Sequence, residues 1–388
     1  MPGAAAAAGQ GPLEEKQEQG LKVAFIHDWL VSYRGGEKVL NALFELFPQA
    51  KLYTLFYERG SVPGPVERAQ VYSSFLDRPW ARKRHRMFLP LFPLAISRFS
   101  LKGYELVISS SHCAAKAAPV PQGVPHLCYI HAPLRYMWTR FDDYFGKGRA
   151  SLPLRIAAKT LRPFLQRWDK KSARRVTHFV ANSHYIAKQV ELLYGQKASV
   201  VYPPVELERF LPLPVENSGQ GGYFLCFGAL APYKRLDLAI EAFGRLGLPL
   251  WVAGSGQMEA AFRKNLPGNI RWLGQVPEDE VPALLHAAKA LVFPGEEDFG
   301  LTPIEVQACG RPVIALGRGG ALETITPKTG LFFAEPTAAS LERAVLAFAE
   351  LEKRFLPTEA KENAMRFSKE NFLQGMRAQV QTCLGDAP

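Results

Sequence analysis

Short apolar runs alternate with longer amphipathic stretches along almost the whole chain. In the first half the runs fall near Lys22–His27, Lys51–Phe56, Glu105–Ser109, His126–His131, His178–Asn182 and Ser199–Tyr202. In the second half they fall near Tyr223–Gly228, Pro249–Gly254, Asn269–Gly274, Ala290–Pro294, Pro312–Leu316 and Gly330–Phe333. Continuous apolar runs of this length read as strands buried on both faces of a parallel sheet. Segments of helical period separate them, among them Arg235–Leu246 and Val281–Ala288. Strand and helix in regular succession predict βα units. A Pro/Gly/Ser/Asn stretch, Leu211–Gly222, follows Pro203-Pro204 and divides the two series, as a linker does. The pattern predicts an α/β protein with two tandem Rossmann-like, doubly wound domains facing across a cleft. The first spans 21–205, the linker 206–222 and the second 223–366, and a C-terminal helix spans 367–388. No short internal period is present.

Composition adds boundaries. A chain of 388 residues is long enough for two cores. The segment 1–20 is rich in Ala, Gly, Gln and Glu and lacks the basic and apolar regions of a secretory signal, so it reads as a disordered tail. No run approaches the roughly 18–20 uncharged apolar residues that span a bilayer. Five cysteines are scattered without a C-x-x-C, which points to reduced thiols in the cytoplasm and to no structural zinc.

Charge changes the picture more. The formal net charge is +11, and its distribution is uneven. Residues 1–222 carry 30 Lys/Arg against 17 Asp/Glu, and residues 223–388 carry 17 against 19. A basic first half suits an anionic surface. Two stretches concentrate it, Arg78–Phe92 and Arg155–Arg175, each mixing cations with large apolar residues. Two readings stay open: a solvated face over core, or peripheral attachment to the inner face of an anionic membrane. No nucleic-acid recognition motif accompanies the charge.

The candidate chemistry centres on Glu297-Asp-Phe-Gly-Leu-Thr-Pro-Ile-Glu305. Glu297 falls on a loop at a strand's carboxyl end, and Glu305 falls in the first turn of the following helix. In an open α/β sheet that crevice binds ligands. The backbone N–H groups of Gly300, Leu301 and Thr302 open the helix and suit an anion. Two carboxylates flanking such a site match a sugar nucleotide, which has hydroxyls on both sides of a diphosphate. Lys234 also follows a strand and opens a helix, where a cation can offset charge building on a departing nucleotide. Gly35-Gly36 open the first domain's first helix, after the His27-Asp28-Trp29 loop. His131 ends a strand within Tyr129-Ile-His-Ala-Pro-Leu-Arg-Tyr-Met-Trp138, which also carries Arg135. Arg135 can bind acceptor or phosphate, or pair with Asp142 or Asp143.

These motifs resemble the family 4 retaining glycosyltransferases of the GT-B fold. The resemblance runs through Glu297–Glu305, Ala308-Cys-Gly-Arg-Pro-Val-Ile-Ala315, Gly319-Gly320 with Glu323, and Thr329-Gly-Leu-Phe-Phe333, most of the second half. The His131 segment resembles the lipopolysaccharide and capsule mannosyltransferase branch. The resemblance implies a nucleotide-sugar site made of Gly35, Gly36, Lys234, Arg235, Gly254, Gly256, Glu297, Phe299, Gly300, Leu301, Thr302 and Glu305. It implies catalytic roles for His131, Glu297 and Lys234, and an acceptor side with Asp28 and Arg135. It also implies that the last helix crosses back to the first domain, and that Asn182-Ser183 caps a helix. Family members usually have an arginine where this chain has Ala229, a departure that leaves Arg235 or Arg318 as replacement cations.

The expected activity is metal-independent, retaining transfer of a sugar from a nucleotide donor. GDP-mannose is favoured over a UDP-sugar, with a glycan or polyprenyl-linked acceptor in cell-surface polysaccharide synthesis. No cofactor is expected. The rival readings are a GT-B epimerase, a phosphorylase, or a catalytically weakened relative that binds sugar nucleotides or scaffolds an assembly.

Overall fold

The computed structural model describes residues 20–148, 150–211, 222–256 and 258–385. The expected tail, apart from Gly20, lies outside the described residues, as does residues 212–221 of the expected linker.

The first domain holds β1 (Val23–His27), β2 (Lys51–Thr54), β3 (Val71–Ser73), β4 (Leu106–Ser111), β5 (His126–Ile130), β6 (His178–Ala181) and β7 (Ala198–Val200). They form one seven-stranded parallel sheet in the order β3-β2-β1-β4-β5-β6-β7. The second holds β8 (Phe224–Phe227), β9 (Leu250–Ala253), β10 (Ile270–Gly274), β11 (Ala290–Phe293), β12 (Val313–Leu316) and β13 (Gly330–Phe333). These form a six-stranded parallel sheet in the order β10-β9-β8-β11-β12-β13. This is the tandem α/β arrangement of the GT-B fold. The sequence pattern did not mark β3, a three-residue edge strand that is exposed or half-buried throughout.

The longer helices used below are α1 (Gly35–Leu46), α2 (Leu152–Ala173), α3 (His184–Tyr194), α4 (Leu236–Leu246), α5 (Leu301–Ala308), α6 (Ala338–Arg354) and α7 (Lys369–Gly385). Amphipathic spacing sets their faces. In α1, Val39, Leu40, Leu43 and Phe44 recur at three- and four-residue intervals and are buried on the sheet. Phe44 meets Phe25 of β1 edge-on at 4.7 Å. Ser183 caps α3, its Oγ accepting the Ile186 N–H at 3.1 Å. The basic stretch Arg155–Arg175 lies mostly in α2.

The last helix, α7, packs on the first domain. Phe372, Met376, Val380 and Cys383 are fully buried in the core formed by β1, β2 and α1. Each such burial is worth roughly 1.5–3 kcal/mol, so α7 is an integral part of that domain. The segment before the undescribed part of the linker is also core. Leu207 and Phe210 are buried around the turn Leu207–Arg209. Among the described residues no helix is long and apolar enough to cross a membrane.

In each sheet the strand order reverses once, between β1 and β4 and between β8 and β11. A crevice opens at the carboxyl ends of the strands at such a switch point. The residues there are His27, Asp28, Ser111 and His112 in one sheet, and Gly228, Ala229, Gly295 and Glu296 in the other.

Candidate active site

Both switch points open on one cleft of about 740 Å³, lined by residues of both domains. That is within the usual range of roughly 300–1,000 Å³ for small-molecule sites.

The second-domain wall carries the two glutamates. Lys234 Nζ pairs with Glu297 Oε1 at 2.5 Å. Burial opposes the charge on Lys234, but Glu297 beside it outweighs this and holds the ammonium above its ordinary range. Gly300 has φ +90°, and an added Cβ would stand 3.0 Å from Phe293 Cζ, so the turn into α5 requires glycine. Leu301 and Thr302 follow as the first residues of α5 and line the cleft. Phe299 is buried and stacks on Tyr202 with centroids 5.6 Å apart. Since α5 begins at Leu301, Glu305 lies in its second turn rather than its first. Its carboxylate lines the cleft with no ion-pair or hydrogen-bond partner among the described residues, and burial raises its pKa. An unpartnered carboxylate facing a cavity is suited to ligand hydroxyls.

The first-domain wall is built around a buried hydrogen-bond chain. His131 Nε2 is 2.8 Å from Ser110 Oγ, which is 3.1 Å from His27 Nδ1. His27 Nε2 lies 3.8 Å from Glu37 Oε1. Burial, then the neighbouring His112 and His27, push the His131 pKa well below its usual range, so the ring is neutral. Its backbone carbonyl accepts Asn182 Nδ2 at 3.1 Å. Gly36 runs beside the ring: a Cβ there would be 3.8 Å from His131 Nε2. A Cβ on Gly35 would stand 2.8 Å from Leu301 Cδ1, so the starts of α1 and α5 meet across the cleft.

Asp28 does not reach the cleft. It is fully buried and accepts four backbone N–H bonds, from His112, Cys113, Ala114 and Ala115, at 2.5–2.9 Å. Its Oδ2 is also 3.1 Å from His112 Nδ1. Asp28 therefore fixes the loop after β4 and orients His112, which does line the cleft. Sequence reasoning missed His112; its place directly after a strand beside the switch point was the available signal.

Arg135 pairs with neither Asp142 nor Asp143 but with Asp298 of the second domain. Burial disfavours its charge, yet Asp298 keeps its pKa raised. Arg140 donates to the Glu296 carbonyl at 2.5 Å and lies over the Tyr233 ring at 5.4 Å. Ser183 Oγ donates to the Asp298 carbonyl at 2.7 Å, and Tyr185 Oη to Glu296 Oε1 at 2.8 Å. The acidic loop that carries Glu297 is thus gripped from the opposite domain.

Three residues assigned to the nucleotide sugar do not line the cleft. Gly254 lies against the Gly228 carbonyl, 1.9 Å from where its Cβ would be, and Gly256 lies against Leu230. These glycines pack loop on loop. Arg235 takes a left-handed conformation, φ 52°, and pairs with Asp237 at 2.9 Å. Arg318 also lies outside the cleft lining. Ala229 does line it, as do Lys234, Arg135 and Arg140 among other cations.

The chain is similar to known proteins in sequence and in fold. Residues 33–209 match the model described as Glycosyltransferase Family 4, and residues 214–367 match Glycosyl transferases group 1. An uncharacterized glycosyltransferase of Methanocaldococcus jannaschii is 30% identical over 50% of this chain and 56% of its own. A GDP-mannose-dependent monoacylated alpha-(1-6)-phosphatidylinositol monomannoside mannosyltransferase of Corynebacterium glutamicum is 29% identical over 38% and 46%. The chain spans about half the length of these relatives. The structure of Anabaena HepE in complex with UDP aligns over 93% of this chain and 100% of its own, with TM-score 0.67 and 16% identity. Sucrose-phosphate synthase from Thermosynechococcus elongatus aligns over 94% and 99%, with TM-score 0.70 and 17% identity. With one matched model falling on each sheet, and both switch points opening on a common cleft, the chain belongs to the family 4 type of GT-B glycosyltransferases.

Proposed function

We propose that this chain transfers a sugar from a nucleotide donor, with retention of anomeric configuration and without a metal ion. The observation that carries this reading is the pairing of the two switch points across one cleft. Lys234, Glu297 and Glu305 stand on one wall, and His131 and the Gly35–Gly36 turn on the other. In this reading the donor diphosphate lies where α1 and α5 begin, taking backbone N–H groups of Gly300–Thr302 and the Lys234 ammonium. Lys234 then exchanges Glu297 for phosphate, which frees Glu297 for the sugar hydroxyls. Glu305 takes the ribose. Neutral His131, fixed by Ser110, accepts or donates to a sugar hydroxyl. The acceptor oxygen attacks on the face the nucleotide leaves, and the departing phosphate takes its proton.

GDP-mannose is the favoured donor, supported by relatives named as GDP-mannose-dependent mannosyltransferases. The acceptor is a glycan or lipid-linked saccharide reached from an anionic membrane face. Ten of the sixteen large apolar side chains exposed among the described residues lie between Tyr72 and Phe164, within the basic domain. Vesicle binding that rises with anionic lipid and falls with salt is expected; indifference to both would remove the membrane from this account.

One observation favours a second reading. Ala229 lines the cleft where the family's arginine is expected, which suits a sugar-nucleotide binder of weakened activity. Incubation with GDP-mannose and UDP-sugars, followed by nucleotide release and anomeric NMR of the product, separates the readings. Retained configuration supports transfer as proposed. Binding without release in any mixture supports the weakened relative.

A further inference from the structure

The basic stretch Arg78–Phe92 has two faces. Arg82, Lys83, His85 and Arg86 line the cleft. Trp80 and Met87, in contrast, are 69% and 72% exposed, with Leu91 and Leu94 beside them about half exposed. The stretch therefore stands where the cleft opens onto an apolar edge.

The cations of the cleft wall are not equivalent. Lys38 is paired with Glu206, Arg82 with Asp77, Arg135 with Asp298 and Arg140 with Asp143. Arg34, Lys83 and Arg86 have no carboxylate within ion-pair distance among the described residues, and of these Lys83 and Arg86 belong to the stretch; Arg86 approaches the Tyr136 ring, at 5.9 Å. Between them lies His85. Its Nδ1 donates to the Arg82 carbonyl at 2.9 Å, which leaves Nε2 of the neutral ring as an acceptor. That Nε2 is buried and has no hydrogen-bond partner. Burial, and the nearby Arg86 and Arg34, keep the ring's pKa below its ordinary value. Its other face meets Trp29 at 4.7 Å. Two unneutralised cations flanking an unpartnered acceptor suit a phosphate ester that carries a hydroxyl.

We propose that Lys83, His85 and Arg86 form a phosphate subsite for the acceptor, separate from the donor diphosphate site, and that the phosphate is lipid-borne. The chemistry recognised is a hydroxyl-bearing phosphate ester with an apolar tail. Lys83 and Arg86 hold the phosphate, His85 Nε2 accepts from the adjacent hydroxyl, and the tail leaves along Trp80, Met87 and Leu91. This rests on the transferase reading for its use, but its binding test does not.

The test is calorimetric titration of the full chain with three probes. They are dihexanoyl phosphatidylglycerol below its micellar concentration, glycerol phosphate without the tail, and dihexanoylglycerol without the phosphate. The wild type should bind the phospholipid about tenfold or more tighter than either fragment. K83Q/R86Q should lose about tenfold or more of that affinity, and binding of GDP and UDP should not change. W80S/M87S should lose the preference for the tailed probe and keep glycerol phosphate binding. K170Q/K171Q, a matched charge change on α2, should leave phospholipid binding intact. The proposal is overturned if K83Q/R86Q binds the phospholipid like the wild type, or if K170Q/K171Q weakens it equally. It is also overturned if nucleotide binding falls in parallel, since the two cations then serve the donor. Phospholipid binding that survives while no nucleotide sugar binds would sustain this subsite and reject the transferase reading instead.

Discussion

Arg135, on the loop after β5, forms an ion pair with Asp298, on the loop after β11, so a first-domain cation reaches into the acidic loop of the second domain. It also lies close enough to Lys234 to press that residue's pKa downward. The prediction is that Arg135 stands in for the cation missing at Ala229. Arg135→Ala should lower kcat/KM for transfer by about ten- to a hundredfold, the worth of one charge-assisted bond of roughly 1.5–3 kcal/mol. Adding Ala229→Arg to that variant should recover part of the loss. Steady-state kinetics of the single and double variants check this; a double variant no better than Arg135→Ala would separate Arg135 from the leaving group.

In the proposed reading Glu305 and Glu297 face different parts of the donor. Glu305 has no protein partner, whereas Glu297 is held by Lys234. Glu305→Ala should weaken free nucleotide by about tenfold, and Glu297→Ala should spare nucleotide affinity while cutting turnover. Titration with nucleotide alone and with nucleotide sugar distinguishes them. Equal loss of nucleotide affinity in both variants would abolish the division.

Glu323 joins the domains without touching the cleft. Its two oxygens accept the His184 and Tyr185 N–H groups at the start of α3, at 2.8 and 2.9 Å. A carboxylate there satisfies orphan donors and complements the helix dipole. Glu323→Ala should cost about 0.5–2 kcal/mol, read as a lower midpoint in urea. Unchanged stability would make the contact incidental.

Acid should destabilise the fold through buried histidines. Burial holds His126 down to about 3, and holds His112 and His131 well below their usual value. The unfolded chain takes up these protons near pH 6.5, while the folded chain stays neutral. The unfolded state therefore binds more protons, and stability falls as pH drops below about 6.5 toward the folded pKa values. Each such group contributes at most about 1.4 kcal/mol per pH unit. Urea midpoints at pH 7, 6 and 5 should fall in order. His126→Asn, which keeps a polar partner for Ser109, should flatten the slope.

The two sheets were legible because buried parallel strands leave short apolar runs, and their strand positions follow those runs to within a residue or two at each end. The edge strand β3 has no buried face to mark it. The Glu297–Glu305 segment was legible because a strand, a loop and a helix start are local. Contacts between distant segments were not. Asp28 reads as a cleft residue until its four backbone donors are seen. Gly254 and Gly256 read as ligand turns until their neighbours Gly228 and Leu230 appear. Arg135 had acidic neighbours in sequence, but its partner lies 163 residues away. The split of Arg78–Phe92 into a cationic and an apolar face needed the irregular backbone of that segment, which no simple period describes.

The account rests on Lys234 meeting the donor diphosphate in the transition state. The most direct test is single-turnover transfer from GDP-mannose by the wild type and Lys234→Ala, with nucleotide binding measured in parallel. Loss of a charge-assisted bond there should slow the chemical step by about a hundredfold or more, with free nucleotide affinity reduced far less. A folded Lys234→Ala variant that transfers at the wild-type rate would contradict the account.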